Sequence, residues 1–242
     1  MLLRPLSLRR YARLIKRAGC LAAGREKLYR YDVHPKRLTL GAIYCGWTIT
    51  PRHVTASAIA YSFGAGNDIS FDLELIRIFG MQVHAFDPAP SVAAWVGAQR
   101  VLPEYVFHPY GLAAHDTSRQ LFVPAHDGGT CSLRQEHRHV AGPGMTCEVH
   151  TLATITRSLG TPLIEILKMD VEGAEHDLIS DIVECPAPIR QLLIEFHHRS
   201  GVESGSATVQ AVDRLRGAGF QLFPVSQTSS EFSFLHRRCC SA

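Results

Sequence analysis

From about residue 55 onward, short apolar runs alternate with stretches of helical periodicity, and this alternation most restricts the fold. Residues 58–63 are a strand-like run that stops at Gly64. Ile69, Leu73, Ile76 and Phe79 then share one helical face, with Asn67 and Asp68 as capping residues just before it. Further strand runs are predicted at 81–86, 105–112, 163–169 and 190–196, and helices at 90–99, 173–183 and 206–217. Residues 120–123 and 147–150 are expected to pair as a hairpin, as are 220–225 and 232–236. The pattern predicts an α/β domain: a mostly parallel sheet with helices on both faces and a C-terminal hairpin adding an antiparallel strand at one end. With 46% hydrophobic residues the chain can bury a core, which excludes a disordered polypeptide.

Charge divides the chain into unequal parts. Residues 1–30 carry nine Lys/Arg against one Glu, a net of +8, while the remainder carries 16 against 21, a net of −5. An acidic body offers no nucleic-acid face. Residues 4–17 read as a basic amphipathic helix able to make weak contact with an anionic membrane surface. The expected organisation is a basic helix and lid segment over 1–50, with Trp47 read as a packing residue or as part of the lid, followed by the main domain over 51–242. The polar, Gly-rich stretch 124–146 is too long for a tight turn and is expected to help shape a pocket. Seven cysteines without a C-x-x-C pair indicate neither a zinc ribbon nor a disulfide framework. Reduced thiols, no apolar run of membrane-spanning length and no secretory leader pattern give a cytoplasmic expectation.

Ligands of parallel α/β sheets sit beyond the carboxyl ends of the strands, and the polar clusters of this sequence fall there. The first is 62–68, Ser-Phe-Gly-Ala-Gly-Asn-Asp. A strand entering Gly-x-Gly and then a helix makes a turn whose backbone can approach a ligand closely. The second is Asp87, 23 residues beyond Gly64 at the end of the next strand, where a carboxylate accepts hydrogen bonds from the two hydroxyls of an adenosine ribose. A dinucleotide would want a third glycine at 69; Ile69 stands there and favours a smaller nucleoside ligand such as S-adenosyl-L-methionine. The third cluster is Asp170, Glu172 and Glu175, where a strand hands over to a helix. Negative charge at a helix N-terminus suits the two glutamates, whereas Asp170 is a candidate to hold substrate, cofactor or metal. The fourth is Glu195, His197 and His198 at the neighbouring strand end, where an imidazole beside carboxylates can act as a general base.

Four segments carry a resemblance: the 62–68 turn; 83–88, Val-His-Ala-Phe-Asp-Pro; 167–175, Leu-Lys-Met-Asp-Val-Glu-Gly-Ala-Glu; and 193–197, Leu-Ile-Glu-Phe-His. Together they resemble the FkbM-type S-adenosylmethionine-dependent methyltransferases, in a methyltransferase-like subgroup. Residues 168–175 match the family's Lys-x-Asp-x-Glu-Gly-Ala-Glu signature almost letter for letter. The resemblance implies a class I methyltransferase (Rossmann-like) fold with a seven-stranded sheet. It implies S-adenosyl-L-methionine bound across Ser62, Gly64, Gly66, Asp68, Asp87 and Asp170, with methyl transfer to a hydroxyl of a small molecule or sugar. The turn departs from the family form: Ser62 replaces an acid, Gly66 an Asn and Asp68 the last Gly.

Methyl transfer from a sulfonium depends mostly on alignment, and an alcohol acceptor must also lose its proton. His197 or Asp170 is expected to take it, with Glu195 orienting the base or the acceptor. No metal is assigned, although Asp170, Glu172 and Glu195 offer the hard oxygen ligands that magnesium takes. The alternative from another class is a catalytically silent module that keeps the fold; adenosylmethionine binding separates the two.

Overall fold

The computed structural model describes residues 19, 27–42, 46–123, 131–135, 144–197, 205–226 and 229–239. The expected basic helix at 4–17 and His198 lie outside the described residues. A seven-stranded sheet forms the frame. Its strands are β3 (Ile59–Phe63), β4 (Gln82–Phe86), β5 (Tyr105–His108), β9 (Ile164–Met169), β10 (Ile189–Glu195), β11 (Phe220–Val225) and β12 (Glu231–His236). They lie in the order β11-β12-β10-β9-β3-β4-β5. Neighbours from β10 to β5 are parallel; β12 runs antiparallel to both β10 and β11. The hairpin forms as expected, but its antiparallel strand lies between β10 and β11, so β11 takes the edge.

Side-chain alternation divides the core between the two faces of the sheet. Tyr61, Phe63, Phe86, Leu192 and Ile194 pack on one face, beneath α3 (Leu152–Ser158), α4 (Glu175–Val183) and α5 (Gly205–Gly217). Ala60, Ala85, Ile166 and Leu193 pack on the other. There they meet α1 (Ser70–Phe79) and α2 (Pro90–Gly97), together with a ribbon of β1 (Leu38–Leu40) and β2 (Trp47–Ile49). Strands buried on both faces need continuous apolar sequence, and Ile164–Met169 has it except for Glu165 and Lys168. The described part of 1–50 is built into these same cores. Asp32 N–H donates to Leu222 O, and Trp47 is buried against Phe71.

The predicted strand 105–112 divides. β5 ends at His108, and Gly111–Leu112 (β6) leaves the main sheet to pair with β8 (Met145–His150). Pro109 stands at the break, where its missing N–H cannot continue a ladder. β8 also pairs with β7 (Thr117–Leu121), the hairpin expected from the sequence, displaced a few residues towards the N-terminus. No helix among the described residues is long and apolar enough to cross a membrane.

Candidate active site

The turn after β3 is held by its neighbours on both sides. Gly64 N–H donates to Phe86 O at 2.9 Å, and Asp170 N–H donates to Phe63 O at 3.1 Å. Gly64 has φ +76°, and a Cβ there would stand 1.8 Å from Asp170 O, so only glycine fits. Gly66 is also left-handed, at φ +54°, yet a Cβ there would meet nothing. One glycine lets two strand ends touch; the other leaves open space.

That space is a cavity of about 280 Å³ at the carboxyl ends of β3, β4 and β9, just under the range of about 300–1,000 Å³ for small-molecule pockets. Gly64, Gly66, Asp68, Asp87 and Asp170 line it together with Trp47, Phe71, Val92 and Leu133. Asp87 is 8% exposed. Its Oδ2 accepts from Gly66 N–H at 3.0 Å and its Oδ1 from Ala89 N–H at 2.9 Å. Burial raises its pKa, while these two bonds act to keep it charged. Asp68 Oδ1 accepts from Ser70 N–H at 2.9 Å, but Ile69, not Asn67 or Asp68, holds the N-cap position of α1, and it makes no side-chain cap. Ser62 does not reach the cavity: it is buried within β3.

Lys168 and Asp72 complete the floor of the cavity, and sequence reasoning gave neither a role. Lys168 is 6% exposed and donates to Gly64 O at 2.8 Å and Phe63 O at 3.3 Å. Its Nζ lies 5.5 Å above the Trp47 ring. A lysine inside a wholly buried strand was the signal for it. Burial pushes the Asp72 carboxyl up to about 6 against the pull of Lys168.

The stretch 124–146 does contribute walls. Cys131 and Leu133 line the cavity, Ser132 Oγ donates to Glu172 O at 2.6 Å, and Arg134 pairs with Asp177. Residues 124–130 and 136–143 lie outside the described residues.

Beside the cavity, β9, the turn before α4, and β10 bring Asp170, Glu172, Glu175, Glu195 and His197 together. His197 Nδ1 bonds Glu175 Oε1 at 2.7 Å. Its Nε2 lies 3.2 Å from Glu172 Oε2, 3.7 Å from Asp170 Oδ1 and 3.9 Å from Glu195 Oε1. Glu172 reaches this position through a left-handed backbone, φ +51°, uncommon for a residue with a Cβ. Glu175 is wholly buried and also accepts from Gly173 N–H at 3.0 Å. It is thus the imidazole's partner and not merely a charge at a helix terminus.

This geometry bears on the expected role of His197. Burial alone would lower its pKa, but the Glu175 hydrogen bond and the charges of Glu175, Glu172 and Asp170 raise it to about 10. An imidazolium has no lone pair with which to take a proton at neutral pH. Burial and the Asp170 charge push Glu195 up to about 8. Burial also raises Asp170, against the pull of Lys168 and His197. Of the three expected catalytic side chains, Asp170 lines the cavity, while Glu195 and His197 stand behind it.

Residues 51–222 match the methyltransferase FkbM domain model. No curated protein matches the chain. Among solved structures, it is similar to the methyltransferase FkbM from Methylobacillus flagellatus KT, at 12% identity and a TM-score of 0.46, over 75% of this chain and 44% of that one. It is also similar to the fibrillarin pre-rRNA processing protein of Methanococcus jannaschii, at 10% identity and a TM-score of 0.47, over 78% of this chain and 70% of that one. The chain therefore spans less than half the length of the Methylobacillus protein. The family model covers well over half of the residues, and the chain belongs to the methyltransferase FkbM domain family.

Proposed function

We propose that this chain is an S-adenosyl-L-methionine-dependent methyltransferase of the class I type, acting on a hydroxyl of a small molecule or sugar. The observation that carries the reading is the joint lining of one cavity by the Gly64–Gly66 turn and Asp87. The residues fit the cofactor. Each Asp87 oxygen accepts one backbone N–H and so keeps capacity for a further donor, such as a ribose hydroxyl. Gly66 presents no side chain to the cavity, and Trp47, Phe71 and Val92 give an apolar surface suited to a purine.

When bound, the cofactor supplies an electrophilic methyl group. The chain's own part is alignment and proton removal. Asp170 lines the cavity, where its carboxylate stands to accept the acceptor's proton. His197 and Glu175 hold the carboxylates behind it. Lys168 fixes the turn by donating to two of its carbonyls.

Calorimetry with S-adenosylmethionine and S-adenosylhomocysteine tests the reading: one site per chain is expected, lost in Asp87→Ala. A silent binding module is the second reading, favoured by Ser62 standing off the cavity and by Asp68 already accepting from Ser70 N–H. No heat and no thermal shift at millimolar ligand would select it.

A further inference from the structure

We propose that Asp170, Glu172 and His197, with Glu195 in reach, bind one divalent cation of the manganese or magnesium kind beside the cavity. Three groups of observations support the site.

The first is the histidine. Its Nδ1 is engaged by Glu175 at 2.7 Å, which orients the ring and directs Nε2 towards Glu172, Asp170 and Glu195. Metal-ligating histidines characteristically bond a carboxylate through the nitrogen that does not touch the metal. The second is spacing. Two ligand atoms each about 2.1 Å from one ion lie about 3.0–3.4 Å apart at right or tetrahedral angles. Nε2 to Glu172 Oε2 is 3.2 Å and Nε2 to Asp170 Oδ1 is 3.7 Å, and the three ligand atoms all fall within 4.8 Å of one another. The third is unsatisfied polarity. Asp170 Oδ1, the oxygen that faces Nε2, is shielded from solvent and accepts no hydrogen bond among the described residues. Buried carboxylate oxygens without donors are costly unless a cation satisfies them.

Without an ion the carboxylates hold the imidazole protonated; a cation would displace the Nε2 proton to solvent and take one neutral imidazole and up to three carboxylates, an oxygen-rich set. It suits manganese or magnesium better than the softer metals. Asp170 and Glu172 belong both to this cluster and to the cavity wall, so a cation here would face an oxygen-bearing acceptor. Ion binding itself does not rest on the cofactor reading.

The test uses the full chain, stripped with chelator and titrated with Mn²⁺ alone at neutral pH. Free Mn²⁺ is followed by electron paramagnetic resonance, and pulsed measurements detect nitrogen coupling. One Mn²⁺ per chain is expected, with coupling from a single imidazole. Glu172→Gln is expected to weaken binding at least about tenfold. The same loss is expected in Asp170→Asn, so the outcome does not depend on one variant folding. Absence of uptake at millimolar Mn²⁺ overturns the proposal, as does uptake without nitrogen coupling or uptake unchanged in both folded variants; His197 is then an internal counter-ion. Calorimetry with S-adenosylhomocysteine on the same chelated sample reports separately on the cofactor.

Discussion

Gly66 N–H donates to Asp87 Oδ2 at 3.0 Å, joining the turn after β3 to the end of β4 in the wall of the cavity. The carboxylate is therefore part of the turn's own structure as well as a candidate ligand for a sugar. Asp87→Asn replaces one acceptor oxygen by an amide donor and so sets an N–H against either Gly66 N–H or Ala89 N–H. We expect a stability loss of about 1–3 kcal/mol and at least a tenfold loss in adenosylmethionine affinity. Urea denaturation and calorimetry measure the two. Unchanged affinity in a folded variant would remove Asp87 from the binding site.

The two glycines should fail differently. Gly64→Ala puts a methyl group 1.8 Å from Asp170 O, against backbone that cannot yield without separating β3 from β9. Its expected result is loss of soluble, folded protein. Gly66→Ala meets no atom and bears only the left-handed backbone cost, about 1–2 kcal/mol. It should fold, melt a few degrees lower, and bind cofactor weakly because the added methyl group stands beside the cavity. Circular dichroism melts distinguish the pair; equal damage from both would contradict this assignment of roles.

Asp72 predicts a pH effect with a definite sign. Its folded pKa, about 6, lies above the ordinary 3.8, so the native state holds a proton that the unfolded chain has already lost between those values. That contribution to stability is fully present below the unfolded pKa and is lost as pH rises through about 6. The two values imply a change on the order of 3 kcal/mol. Asp72→Asn should therefore gain stability relative to the parent chain between about pH 4 and pH 8. Parallel pH profiles of the two proteins would show that Asp72 does not titrate as described.

Removing the imidazole should be more costly than removing the carboxylate that holds it. His197→Ala leaves Glu175 wholly buried without its charged partner, at a cost of about 3–5 kcal/mol. Adding Glu175→Gln to that variant neutralises the stranded charge and should restore part of the loss. Denaturation of both in chelator measures the difference, and a double variant less stable than His197→Ala would oppose a buried ion pair.

Much of the frame was legible because it follows from local rules. Continuous apolar runs marked β3, β4, β9 and β10, helical spacing marked α1 and α4, and turn residues marked the strand exits. Gly64, Gly66, Asp87 and Asp170 stood out as polar or flexible residues where apolar runs stop, which in a parallel sheet is where ligands bind. Lys168 and Glu175 were equally visible as letters but ambiguous in role. A lysine in a strand or a glutamate at a helix start acquires meaning only from what lies opposite.

The chain's letters alone determined the βα alternation, the Gly-x-Gly turn and the family signature, since each depends on residues close together in sequence. Tertiary structure decided what depends on charge proximity across elements. His197 lies 22 residues from Glu175 and 27 from Asp170, yet their contact turns an expected base into an imidazolium. Electrostatic energy depends on separation and burial, which no local pattern encodes. The burial of β12 inside the sheet is of the same kind: pairing with β10, distant in the chain, and not the strand's own residues, sets where it lies.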